Sequence, residues 1–386
     1  MAKKLLSVLV VFTSFSFSKD LTYDWYLQFR PRWEHVEIKN DGKKTADALT
    51  TRIASRLEFR FKNWKVFGEL TAVLLLNRKF SPSKAGYEFV AEEERVRPTE
   101  FGLFYSSSLL NAKAGRFRIN LNNQRFIGSV DWRQMPQTFD ALYISMQTFK
   151  TFKGEFFYIL GRKGVLNSLS TDTFKKNQPF NYSPVVNLVY KPLKELTFKL
   201  YYIDLKRNSL TIGGILNLNK LFFNFRGEYA SQKNKLVGKN TDYFHLKLNK
   251  NFSKFSLTLG WEYLGKYLIT PLATLHKFNG WNDVFLKYTA IDNAYGLKDF
   301  YISSSIFTSV GTLVFTLHNF RSVKTLPTST RKFGNEYDFL YKVAPIKKLN
   351  LVMKSGIYNP EKENCSEFYC KRSFKFWIML NYLFRL

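Results

Sequence analysis

The chain has 386 residues, with 59 Lys and Arg against 30 Asp and Glu and a formal charge of +29. Its 39 Phe, 22 Tyr and 7 Trp give it far too much apolar surface for a disordered chain. The longest strongly apolar run, Leu5–Phe12, falls well short of the about 20 residues a spanning helix needs. That excludes a helical membrane protein and leaves a β-barrel open.

In chain order, Met1–Ser18 comes first. Lys3 and Lys4 precede the apolar run, and the small residues Ser16 and Ser18 follow it. This is the layout of a secretory signal peptide over 1–18, leaving a mature chain 19–386. Strict alternation begins at once. Tyr23, Trp25, Leu27, Phe29 and Trp33 alternate with Gln28, Arg30, Arg32 and Glu34. Next, Ile53, Leu57, Phe59 and Phe61 alternate with Arg52, Arg56, Glu58 and Arg60. Phe117 and Ile119 are set against Arg116 and Arg118, and Phe223, Phe225 and Tyr229 against Asn224, Arg226 and Glu228. Further segments follow at Phe255–Tyr263 and Phe374–Leu386, the last with Lys375, Asn381 and Arg385 on its polar side. Residues of like parity share one side of a strand, so each segment has a greasy and a charged face.

A soluble sandwich alternates too. The export signal, the aromatic apolar faces, segments near ten residues and the apolar last strand favour a barrel in lipid, where no sheet edge can stay open. The expectation is all-β: a single closed antiparallel transmembrane β-barrel of about 18 strands, with 16 as the alternative count. Eight short connections fall near Asn63, Ser107–Leu110, Thr148–Lys153, Lys191–Lys194, Asn217–Lys220, Lys250–Ser253, Thr308–Val310 and Ala344–Lys347. Nine longer ones fall at 38–50, 77–95, 120–137, 162–181, 205–209, 231–241, 265–297, 321–333 and 359–372. Asp283–Ala290 reads as a strand by itself, but that breaks the even count and assigns it to the loop 265–297. The setting is the outer membrane of a Gram-negative-type bacterium. Its lipid and lipopolysaccharide are partners, and the end Tyr382, Phe384, Leu386 is offered to the barrel-assembly machinery.

Many lysines, Lys43, Lys44, Lys175, Lys176, Lys347 and Lys348 among them, fall on loops and turns. Arg30, Arg32, Arg52, Arg56, Arg60, Arg116, Arg118 and Arg226 instead take the face opposite the greasy one. They are candidates for a cationic lumen, because arginine binds carboxylates through paired hydrogen bonds and rings of it select anions. Glu34, Glu58 and Glu228 share that face and offset part of the field. No nucleic-acid motif accompanies the charge. His35, His245, His276 and His318 are scattered, without metal-ligand spacing or a local serine partner, so neither cofactor nor enzyme is expected. Cys365 and Cys370 are the only cysteines, either a loop disulfide or two free thiols.

Residues 115–142 read GRFRINLNNQRFIGSVDWRQMPQTFDAL, residues 272–286 LATLHKFNGWNDVFL, and Asn335–Val343 NEYDFLYKV. These segments resemble the alginate-export family of outer-membrane barrels. The resemblance implies an 18-strand barrel whose electropositive lumen passes an anionic polysaccharide. It also implies Arg116, Arg118, Arg125, Arg133, Asp140, His276, Asn279, Trp281 and Asp283 at or near the lining. The residues alone leave the face of Asp140 open, since Leu142 and Ile144 share its parity. The expected role is a passive channel for acidic saccharides or small anions, the alternative a general porin for small polar solutes.

Overall fold

A computed structural model describes residues 21–220, 222–363 and 365–385. The signal-peptide reading of 1–18 and the terminal Leu386 lie outside the described residues. Strands β1 (Leu21–Ile38), β2 (Ala46–Phe61), β3 (Trp64–Leu75), β4 (Arg95–Ser106), β5 (Leu110–Phe117) and β6 (Thr138–Phe149) open the sheet. They continue as β7 (Phe152–Lys163), β8 (Ser183–Leu193), β9 (Leu196–Leu205), β10 (Ser209–Lys220), β11 (Phe223–Asn234) and β12 (Lys239–Asn251). The last six are β13 (Phe255–Leu264), β14 (Leu297–Thr308), β15 (Gly311–Arg321), β16 (Lys332–Ile346), β17 (Leu349–Pro360) and β18 (Ser373–Arg385). Each strand pairs antiparallel with the next, and β1 pairs with β18 from Tyr26↔Arg385 to Ile38↔Ser373, which closes the barrel. No edge is left to solvate, the condition lipid imposes.

The outer wall is apolar around the ring: Phe29, Ile53, Val66, Leu103, Ile144, Leu200, Phe244, Leu259, Phe315 and Leu380 all stand exposed on it. No helix among the described residues is long and apolar enough to cross a membrane; here strands do so. Seven of the eight tight turns fall at or beside the expected places; Asn217–Lys220 is instead the paired end of β10, opposite Phe223–Arg226. Two loops are shorter than the sequence suggests. Ser231–Asn234 still pairs with Lys239–Asp242, leaving a four-residue loop between β11 and β12. Likewise, Ala46 and Ala48 extend β2 by packing with Val36 under Phe80 and Val90. Asp283–Ala290 is not a strand: it runs into the short helix α1 (Leu286–Ile291). Cys365 and Cys370 are bonded, settling the alternative left by the sequence.

The lumen is not an empty tube. The loops 118–137, after β5, and 265–296, after β13, fold into the barrel. Their apolar residues (Ile119, Leu121, Phe126, Ile127, Leu268, Leu272, Phe285) form one buried cluster with inward residues of the wall such as Tyr201, Tyr243, Phe320 and Tyr358.

Candidate functional site

Two inward loops occupy part of the barrel interior, and the candidate arginines divide by what they do there. Arg30 on β1 donates to Gln134 Oε1 (3.0 Å) and to the Asp131 carbonyl (2.9 Å). Arg32 donates to the Trp132 carbonyl (2.6 Å) and meets Glu34 (3.2 Å) and Glu92. Arg133 answers from the loop with an ion pair to Glu34 at 2.9 Å. These charges are buried and bonded to the loop or to each other, so they clamp the loop to the wall and offer little to a passing solute. Within the clamp, Glu34, Glu92 and Asp283 hold the Arg133 guanidinium well above its usual range although burial works the other way. Arg125, completely buried, lies 3.1 Å from Glu262 and donates to Asn279 Oδ1 at 2.9 Å. Asn279 in turn donates to Glu262 (2.7 Å) and Asp299 (3.2 Å), fixing the second loop to β13 and β14.

The loops also hold each other. Ile127 and Leu272 form a bridge, and Gln137 Nε2 donates to the carbonyls of Gly128 (2.7 Å) and Leu272 (2.9 Å). Gly128 is required by this closeness: a Cβ there would stand 2.1 Å from Thr274 Oγ1. Gly280 is required twice over, by φ +82° and by the Glu336 carboxylate 2.4 Å from where its Cβ would be. On the far side, Lys354 of β17 donates to His276 Nε2 (2.8 Å), and His276 Nδ1 lies 2.6 Å from Asp283 Oδ1. Lys375 donates to the other Asp283 oxygen at 3.0 Å. The Lys354 ammonium sits over the rings of Trp281 (4.0 Å), Trp132 (4.5 Å) and Trp377 (5.5 Å). Burial lowers His276 to about 4, with Asp283 and Lys354 pulling in opposite directions. The ring is therefore neutral, with its Nδ1 proton toward Asp283. Burial alone would raise Asp283; His276, Lys375 and Arg133 hold it well below the carboxylate range.

Beneath this closure lies a cavity of about 450 Å³ lined by Arg30, Arg52, Arg56, Glu58, Glu69 and Arg118, among others. Its arginines are paired. Arg52 meets Glu69 at 3.3 Å, Arg56 meets Glu58 (2.8 Å) and Glu100 (2.7 Å), and Arg60 meets Asp24 and Glu58. Arg118 binds Glu69 (2.8 Å) and Asp131 (3.0 Å). This wall is a zipper of alternating sign. The opposite wall differs: Arg226 and Lys247 are directly opposite each other on β11 and β12. Lys199 reaches Asn122 at 3.2 Å, and Glu228, 2.7 Å from Arg226, is the carboxylate paired within the group. Lys277 joins them from the second loop, where burial and then the charges of Lys247 and Arg226 lower its pKa.

Two sequence expectations are corrected. Arg116 and Asp140 do not face the lumen. Arg116 is opposite exposed Phe101 on β4 and Asp140 on β6, and its guanidinium lies over the Phe101 ring at 5.1 Å. The pair bonds at 2.7 Å on the outer wall. The reason is that Phe117 and Ile119 point inward, into the apolar packing of the loops, so at this height greasy means inside. Arg118 lies past the strand end, where the chain has already turned in. The sequence reading missed Lys199, Lys247 and Lys277. Parity signals the first two, since Lys199 lies between Phe198 and Leu200 and Lys247 between Leu246 and Leu248; Lys277 carries no such signal.

The alginate-export family model matches residues 88–267. Over that stretch, a little under half of its length, the chain is similar to the alginate-export family, and as a whole it is a closed 18-strand β-barrel. The matched stretch holds the whole first inward loop and stops at the start of the second, so the quoted segments 272–286 and 335–343 lie beyond it. Similar solved structures include Pseudomonas aeruginosa OccK9 (OpdG), 12% identical with TM-score 0.74, covering 94% of this chain and 98% of that one. Acinetobacter baumannii OccAB4 is 10% identical with TM-score 0.73, over 95% of this chain and 99% of its own. The Pseudomonas aeruginosa outer membrane protein opdK is 9% identical with TM-score 0.71, over 95% and 99%. At such identities the likeness is one of fold. No curated protein matches the chain in sequence.

Proposed function

We propose that the protein is an outer-membrane diffusion channel that favours anions, with carboxylated saccharides as its substrate class. The observation that carries this reading is the juxtaposition of Arg226 and Lys247, with Lys199 and Lys277 beside them, on the inner wall. Like charges directly across a sheet destabilise it, and a passing carboxylate relieves that repulsion by accepting from both. The arginine zipper on the other wall is close to electrical balance, so it presents dipoles and hydrogen bonds more than a net field. The polyanionic cargo named by the matched family suits this division: one wall attracts carboxylates while the other receives hydroxyls. The balanced wall also supports a second reading, a porin for small polar solutes with a mild anion bias.

The test is a planar-bilayer measurement of reversal potential across a KCl gradient. Wild type is expected to prefer chloride, and Lys199→Gln/Lys247→Gln/Lys277→Gln to lose more of that preference than Arg52→Gln/Arg56→Gln/Arg60→Gln. Cation preference in wild type would sink the proposal. Transient blockade by oligouronates but not by neutral oligosaccharides of equal length supports the acidic-saccharide assignment, and equal indifference to both supports the general porin.

A further inference from the structure

The outer wall carries a second charged feature that transport does not use. Trp261 and Phe300 stack at 6.0 Å on the lipid-facing side of β13 and β14. Lys298 lies two residues toward the external end, about 7 Å higher. In register with it are Arg321 on β15 and Lys332 on β16. Three cations thus stand side by side on the wall that faces lipid. Lys332 meets Glu361 at 3.3 Å, but neither Lys298 nor Arg321 has a carboxylate partner among the described residues.

The row beneath them is polar where its neighbour is aromatic: Phe300, Asn319, Asn335 and Asn359 are consecutive partners. One step lower, Leu317, Tyr337 and Ile357 are exposed to the acyl chains. Arg321 Nε donates to Asn319 Oδ1 (2.9 Å), and Asn319 Nδ2 to Asn335 Oδ1 (2.7 Å). The strip ends at β18 and β1 in an outer-wall pocket of about 240 Å³, lined by Lys39 and Arg372 above Ile357 and Phe374, with Glu37 at its side. Lys39 and Arg372 are likewise without an ion-pair partner among the described residues. Trp33 and Phe376 meet edge to face at 5.6 Å below it.

We propose that this strip, from β14 round to β1, binds a phosphorylated glycolipid of the outer leaflet. Its phosphomonoesters lie on Arg321 with Lys298 and on Arg372 with Lys39. Its sugar hydroxyls reach the asparagine row, and its acyl chains run down over Ile357, Phe374 and Tyr337. The charge argument selects this occupant. A doubly charged phosphate removes the repulsion between adjacent cations, whereas a zwitterionic phospholipid brings its own ammonium to the same place. The aromatic pairs below both halves of the strip set it at headgroup depth.

The full mature chain, refolded in detergent, is incubated with diphosphorylated lipid A or with the same lipid stripped of phosphate. Retained lipid is counted by native mass spectrometry. Wild type is expected to retain the phosphorylated form at least tenfold better, Arg321→Gln/Arg372→Gln to lose that preference, and Lys62→Gln in a periplasmic turn to keep it. Equal retention of the two lipids by wild type overturns the proposal, as does full retention by the double variant. Should the double variant fail to fold, raising salt from about 0.05 to about 0.5 M on wild type decides: binding through phosphate falls steeply, and unchanged retention overturns it.

Discussion

Lys354 shows how much one buried residue can be asked to do. Its ammonium faces three indoles and donates a hydrogen bond to His276. A desolvated cation over an aromatic face contributes about 2 kcal/mol or more, but only while His276 stays neutral and accepting. The sign of the pH effect follows. His276 is lowered to about 4 in the folded chain against about 6.5 unfolded. Between those values the unfolded chain binds the extra proton, so stability falls as pH drops from about 6.5 to about 4. The full cost is on the order of 3 kcal/mol. In urea titrations at stepped pH, wild type is expected to weaken over this window more than His276→Gln, whose amide does not titrate. Parallel curves would remove His276 from the account. Arg116 carries the opposite lesson at the same scale. Parity placed it on the face away from Phe117, but parity cannot say which face is inside; the inward position of Phe117 does.

At the scale of elements, the two inward loops behave as one body. Gln137 ties the Gly128 and Leu272 carbonyls with a single amide, and Val130 keeps a left-handed φ of 52° that a β-branched residue adopts only under constraint. Its N–H is held by Thr274 Oγ1 at 3.1 Å. Gln137→Leu leaves the buried Gly128 carbonyl unpaired, strips Arg162 Nε of its acceptor and leaves Leu272 O only the Gly128 N–H, at about 1–3 kcal/mol for each orphaned group. Hydrogen exchange is expected to quicken at Gly128 and Thr274 together, with the β1–β18 seam unchanged; acceleration in one loop alone would show that they are separate. The existence of both loops was legible in the sequence, since polar stretches interrupt the alternation at 120–137 and 265–297. Their inward fold was not, because the residues that hold them, Glu34, Glu262, Lys354 and Lys375, come from strands distant in sequence.

For the whole molecule, a formal charge of +29 says less about the lumen than the pairing of its charges. Arg52, Arg56, Arg60 and Arg118 all meet carboxylates, so their field dies within a short distance. The unbalanced group around Arg226 and Lys247 acts through solution and is open to screening. The Debye length shortens from about 30 Å at 0.01 M to about 3 Å at 1 M. The anion preference measured by reversal potential is therefore expected to be largest at low salt and to fade toward 1 M. A preference independent of salt would mean that close-range binding, and not the field of this group, selects the ion.

Period-two alternation and the spacing of polar breaks were enough to determine a closed antiparallel barrel and, to within a few residues, its strands and turns. Both are local properties: a strand's faces follow from its own residues, and lipid demands closure whatever the loops do. Which cations are free and which are clamped was decided only in three dimensions. The Coulomb and hydrogen-bond partners of a side chain are set by distance in space, and here those partners lie up to about a hundred residues away or more along the chain, as Arg32–Trp132, Arg125–Asn279 and Arg133–Glu34 do.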